Sequence, residues 1–306
     1  MAAALTALTA QLLHLLLVIL AAPAVASASG WLDARLAGRA GTPLMEPLHE
    51  LRRLTRKSQA VAENASPVFA AGPAIRFAAI AAAAALVPSF CLGMALSPLA
   101  DGLVVIGLLA IARIAGCVTA LDIGTAATGR AAEAHTALGI LAEPGLVLVV
   151  FALALMGGGF NLDQIVGQQR DGLLLPASAS AVALACLLTL VFVDLAAAMP
   201  DLSAECGGID LALSKAATWL RMVVWFNLVG ALFLPIGMAG PAAGVLGWTL
   251  GILAWALKLV AATLGLALAR AFLGRPNRQA MPNLLGIAAL LALLATLIVL
   301  SGAGAA

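Results

Sequence analysis

Charge is what this chain most lacks. Only 10% of its 306 residues are Asp, Glu, Lys or Arg, against about 25% in an ordinary water-soluble domain. So little charge cannot clothe a water-exposed fold. With 63% apolar residues and a mean hydropathy of +1.11, the solvent of this chain is lipid. Tyrosine is absent and aromatics make up 5%. The apolar mass is therefore Ala and Leu, with 30 Gly that suit close helix packing in a bilayer. The net charge of +2 is too small for a nucleic-acid-binding surface. Cysteine is scarce as well. Cys91, Cys117, Cys186 and Cys206 lie far apart with no C-x-x-C spacing, which argues against a zinc or iron–sulfur site. Three of the four fall in apolar runs, where Cys acts as a small packing residue. No internal repeat relates the two halves, so an independent transporter of the inverted-repeat kind has no positive support.

What is present is a series of eight apolar runs: Leu5–Ser29, Pro67–Leu96, Gly102–Leu121, Thr136–Gly158, Leu175–Met199, Trp219–Met238, Gly244–Ala269 and Asn283–Leu300. About 20 residues at 1.5 Å rise cross the hydrocarbon. Inside lipid the backbone must satisfy itself, which leaves helices. The expected fold is all-α: one polytopic transmembrane domain over residues 1–306 with about eight membrane helices. The first run lacks a basic leader and is too long for a signal-peptide core, so it reads as the first membrane helix. Pro88 is expected to kink the second helix and Pro235 the end of the sixth.

Lys and Arg orient the bundle. The first long loop carries Arg35, Arg39, Arg52, Arg53, Arg56 and Lys57; the third carries Arg130, the fifth Lys215, and the seventh Arg275 and Arg278 with Arg270 at its edge. The alternate loops hold only Arg170. The positive-inside rule then places both termini on the non-cytoplasmic side. The basic cytoplasmic loop, 30–66, is amphipathic, with Pro43, Met45 and Pro47 ahead of the stretch His49 to Lys57. It either lies on the membrane surface, docks a cytoplasmic partner or simply obeys topology.

Ionisable residues fall inside the runs: Arg113 in the third, Glu143 in the fourth, Asp194 in the fifth and Lys258 in the seventh. Arg76, near the cytoplasmic end of the second, is expected to snorkel. Each central charge costs roughly 2.5–3.5 kcal/mol, so four cost on the order of 10 kcal/mol unless paired, hydrated or neutralised. Desolvation favours the protonated form of a carboxyl group, which makes Glu143 and Asp194 candidate proton carriers; the bland alternative is an interhelical ion pair. A further polar cluster, Asp122, Thr125, Thr128, Arg130, Glu133 and His135, follows the third run. If a helix begins near Glu133, then His135, Gly139 and Glu143 share one face, and His135 suits a relay because imidazole titrates near neutrality.

At these residues a family resemblance emerges. The segment LLAIARIAGCVTALDIGTAATG, then ALGILAEPGLVL, resembles the complex I subunit 1 family of NADH-quinone oxidoreductases, in which formate hydrogenlyase subunit 4 stands. The matching pieces are Ala112–Arg113, Leu121 to Gly124 and Leu138 to Pro144. Phe192 to Leu202 and the helix WALKLVAATLGLALARAFLGR follow in the family's order. The resemblance implies a non-catalytic membrane subunit, in the bacterial plasma membrane, that anchors the hydrophilic subunits of a respiratory or hydrogenase-type oxidoreductase beside antiporter-like membrane subunits. It implies that electron transfer is coupled to proton translocation, that this chain binds no cofactor, and that iron–sulfur and nickel–iron centres belong to partners. Arg113, Asp122, His135, Glu143, Asp194 and Lys258 would form the polar interior or proton path. Arg52, Arg53, Arg56, Asp201 and Glu205 would face the hydrophilic partner. The family's long acidic loop is reduced here to about Pro200–Gly208, with Asp201 and Glu205, so no quinone is assigned to this chain. Ala134–His135 replaces the family's Arg-Glu, and Arg270 stands in place of a Glu. A scaffold that has lost coupling is the rival expectation.

Overall fold

A bilayer offers the backbone no hydrogen-bond partners, so each apolar run closes its own ladder as a helix. The computed structural model of the chain describes residues 2–41, 43–58, 65–170, 177–196, 201–240, 243–277 and 279–303. Among these residues there are ten α-helices: α1 (Ala2–Leu36), α2 (Glu46–Thr55), α3 (Pro67–Leu86), α4 (Gly102–Asp122), α5 (Ala126–Gly157), α6 (Leu162–Arg170), α7 (Ala177–Ala196), α8 (Gly208–Phe233), α9 (Gly244–Leu273) and α10 (Ala280–Ala303). Eight of them, all but α2 and α6, are long and apolar enough to cross a membrane. The protein is thus a multi-pass membrane protein, with eight candidate spans among the described residues. Arg278 and Pro200 lie outside the described residues.

Helix α3 packs against both α4 and α8, α10 packs against both α5 and α7, and α4 against α5 joins the two groups. The first helix closes against α8 and α9. Small residues set the spacing. A Cβ on Gly72 of α3 would overlap the Thr119 hydroxyl of α4, so glycine brings those two backbones together.

The second apolar run departs from its expected extent. It does not continue as a kinked helix to Leu96; α3 ends at Leu86. Residues 87–101 run without α-helix, yet Val87, Phe90, Cys91, Leu92 and Met94 are buried. The cause is Pro88, whose nitrogen cannot donate to the Ala84 carbonyl. Two α1 side chains one turn apart take over the freed carbonyls. His14 Nε2 donates to Ala84 O (2.9 Å) and Gln11 Nε2 to Ala85 O (3.1 Å). Ser89 Oγ sits 2.7 Å from His14 Nδ1, and Gln11 Oε1 accepts from Leu96 N (3.2 Å). A carbonyl only accepts, so Nε2 is the donor there, while the serine hydroxyl can meet Nδ1 as donor or acceptor. The segment is also tied backbone to backbone to the loop after α8, through Leu92 N to Ala239 O (3.0 Å) and Ala239 N to Phe90 O (2.8 Å).

The sixth run also begins earlier than hydropathy suggests. Helix α8 starts at Gly208 and buries Asp210 and Ser214, polar residues that hid its first turns from a hydropathy reading. Its C-terminus stops two residues before Pro235. Within the 30–66 stretch, α1 continues to Leu36, and α2 docks Leu54 into the protein.

Candidate functional site: an ion network between four helices

Arg113 on α4, Glu143 on α5, Asp194 on α7 and Arg221 on α8 meet inside the bundle. Arg113 Nη1 donates to Glu143 Oε1 at 3.1 Å, and its Nη2 lies 3.9 Å from Asp194 Oδ1. Arg221 Nη1 stands 3.6 Å from the same Oδ1. The other Asp194 oxygen accepts from the Trp225 indole at 2.6 Å. Trp225 and Arg221 are four residues apart on α8, hence on one face. Two guanidiniums and two carboxylates cancel, which is how lipid tolerates the group. Asp194 and Arg113 are nearly enclosed, with side chains 8% and 9% exposed, whereas Glu143 is 37% exposed. The network therefore has a buried centre and one open end.

The Arg113 side chain reaches Glu143 by passing over a glycine. A Cβ on Gly139 would overlap its guanidinium. Gly139 and Glu143 share the α5 face, and His135, one turn earlier, lies near enough to Asp194 for their charges to interact.

The structure distributes the other sequence-derived residues differently. Asp122 does not join the network. It accepts from both the backbone N and the Oγ of Ser66 (2.7 Å each), and Ser66 in turn caps α3 through Val68 N. This carboxylate ties the end of α4 to the start of α3. Lys258 lies on α9 against Gly230 of α8, also apart from the network. Arg52, Arg53 and Arg56 are exposed on or beside α2, and Asp201 and Glu205 are exposed between α7 and α8. Glu50 pairs with Lys215, which fastens α2 to the start of α8. Asp201 accepts from the backbone N and Oγ of Ser203 (2.9 and 2.7 Å), a local turn.

Three charged residues escaped the sequence reading as members of a site. Arg221 sits inside an apolar run, a signal that was present; the earlier start of α8 moves it from the edge of the span to its thirteenth position after Gly208. Arg76 does not snorkel. It is 8% exposed, donates to Thr218 Oγ1 (3.2 Å) and lies within electrostatic reach of Arg221 and Asp201. Asp33 has no signal of its own: its partner, Arg270, is 237 positions away. Arg270 donates to Asp33 Oδ2 (2.9 Å), Ser29 Oγ (2.9 Å) and Leu195 O (2.7 Å), joining α1, α7 and α9.

All four cysteines are buried and unpaired. Burial, with Asp210 and Asp201 adding to it, pushes the Cys206 thiol up to about 11, the reverse of what a thiolate ligand needs. Among the described residues no group of three or more His, Cys, Asp and Glu is placed to hold a metal ion.

Comparison with known proteins gives one consistent answer. The profile of the family described as NADH dehydrogenase matches residues 6–301. Hydrogenase-4 component C of Escherichia coli is 28% identical over 236 residues, covering 73% of this chain and 74% of that protein. Formate hydrogenlyase subunit 4 of Escherichia coli is 25% identical over 237 residues, 74% of this chain and 77% of that one. Among solved structures, a chain of the membrane-bound sulfane sulfur reductase, an archaeal respiratory membrane complex, superposes with a TM-score of 0.76. It covers 93% of this chain and 99% of its own length at 19% identity.

Proposed function

The chain belongs to the NADH dehydrogenase family, and on that premise we propose that it is the membrane-anchor subunit of a multi-subunit respiratory or hydrogenase-type oxidoreductase, with its ion network coupling electron transfer to proton movement. Hydrophilic subunits carrying the iron–sulfur and metal centres dock at the end formed by α2 and the 201–207 loop. Antiporter-like subunits sit beside the chain in the bacterial plasma membrane. The names of the similar proteins support a hydrogenase or formate hydrogenlyase setting.

One observation carries the coupling reading: the network spans the bundle with charge balanced and one end open. Polar groups lead from the exposed Asp201 through Arg76 and Thr218 to Arg221, Asp194 and Arg113, and end at the half-open Glu143. A charge change at the docking end alters the pull on Arg76 and Arg221, and Glu143 is the member through which the network opens to the flank of the bundle. Asp122 contributes by holding α3 and α4 in register. His135 serves as a relay toward Asp194.

Purification of the tagged chain in mild detergent tests the anchor role: oxidoreductase subunits with iron–sulfur absorption are expected in stoichiometric yield, and the chain recovered alone overturns it. Proton uptake by vesicles holding a Glu143→Gln complex tests coupling. Electron transfer with proton movement lost supports it. Proton movement unchanged makes the network a structural brace, and the chain a scaffold.

A further inference from the structure

Lys258 is the fifteenth of the thirty residues of α9, about 20 Å of helix from either end. Its ammonium cannot reach an interface from there by snorkelling. Among the described residues it has no ion-pair or hydrogen-bond partner. Beside it, on the same α8–α9 seam, Asn227 Oδ1 accepts from Trp255 Nε1 (2.8 Å), while the Asn227 Nδ2 is buried with no acceptor. Asn227 itself is 4% exposed. Among the described residues the seam therefore leaves two kinds of mid-membrane donor, the Lys258 ammonium and the Asn227 amide, without an acceptor.

The same flank of α9 is open. Of the eight spans, α9 is the least covered by the rest of the chain. At heptad spacing around the lysine stand Ala254, Ala261 and Gly265, the last two exposed. A Cβ built on Gly265 would meet nothing. Small residues let a second helix approach closely, and a heptad stripe is the form a packing seam takes.

We propose that the α9 stripe Ala254–Lys258–Ala261–Gly265 docks a transmembrane helix of a neighbouring subunit, and that this helix carries an aspartate or glutamate at mid-depth opposite Lys258. Charge selects the occupant. Acyl chains offer an ammonium nothing, and lipid headgroups do not reach the bilayer centre. A second copy of this chain through the same stripe would set lysine against lysine. A carboxylate at that depth neutralises the ammonium and accepts its hydrogen bonds. The inference deepens the subunit reading above and rests on it.

The test places benzoylphenylalanine at position 261 in the otherwise intact complex and irradiates native membranes. The expected product joins this chain to a different membrane subunit whose labelled spanning segment contains Asp or Glu. Its yield falls at least about fivefold in Lys258→Met and is retained in Lys258→Arg. Lys258→Glu abolishes it, and changing the partner's acid to lysine restores it. Lys258→Gln replaces Lys258→Met if that variant fails to accumulate. Label found only in lipid, in a second copy of this chain or in a segment without an acid overturns the proposal, as does a yield insensitive to residue 258. An intact complex with label only in lipid removes this contact and leaves the subunit reading standing; a chain recovered alone removes both.

Discussion

Asp194 has two guanidiniums at 3.9 and 3.6 Å and an indole N–H at 2.6 Å. Removing one charge from such a buried group leaves the others uncompensated and costs about 3–5 kcal/mol. Asp194→Asn is therefore expected to lower the thermal stability of the detergent-solubilised chain strongly. Glu143→Gln, at an end that water or a neighbour reaches, should change it by about 1 kcal/mol or less. Thermal unfolding can be followed with a thiol-reactive dye, because all four cysteines are buried until the chain opens. Equal losses at both positions would count against the closed-centre, open-end geometry. The contrast also shows what single residues disclose. Arg113, Glu143 and Asp194 stand out in sequence because each is a charge inside an apolar run. Their pairing is not legible there, because it depends on which helices pack together. Gly139 shows the limit well, since its role is to leave room for an arginine on another helix.

At the scale of elements, the eight crossings were legible and their ends were less so. Hydropathy counts side chains, whereas helix ends are decided by where the carbonyls find partners. Pro88 suggests a kink because proline in a membrane helix usually leaves a bend. Here α3 stops just before Pro88, and Gln11 and His14 on α1 donate to the carbonyls it leaves free. These side chains lie 74 and 70 positions away, and no local pattern announces them. His14→Ala should strand the Ala84 carbonyl at a cost of about 1–3 kcal/mol, read as a lowered unfolding midpoint. Leu16→Ala, on the lipid-facing side of the same helix (Leu16 is 56% exposed), should leave the midpoint nearly unchanged. The opposite order would mean that α1 is held by apolar contact rather than by capping. The late start that hydropathy suggests for α8 has a kindred cause: Asp210 and Ser214 lower the hydropathy of turns that the fold nevertheless buries.

For the whole molecule, eight crossings put both termini on one face, and the distribution of Lys and Arg predicts that face to be non-cytoplasmic. Alkaline phosphatase fused after residue 303 should be active and a fusion after Arg275 inactive; the reverse pair would invert the assignment of the docking end. The order of assembly has its own logic. Helix α1 leaves the ribosome long before α8 and α9, on which it rests, and Asp33 meets its partner only at Arg270. At about 5–20 residues per second, synthesis separates the two by roughly 12–47 s. The Phe90–Leu92 backbone must likewise wait for Ala239. For that interval the nascent chain holds an unmatched aspartate and an open polar loop in or near the bilayer. Biogenesis of this protein thus calls for an insertase that shelters early spans until late ones arrive, and a ribosome stalled before α9 would leave a product that the cell should treat as unassembled.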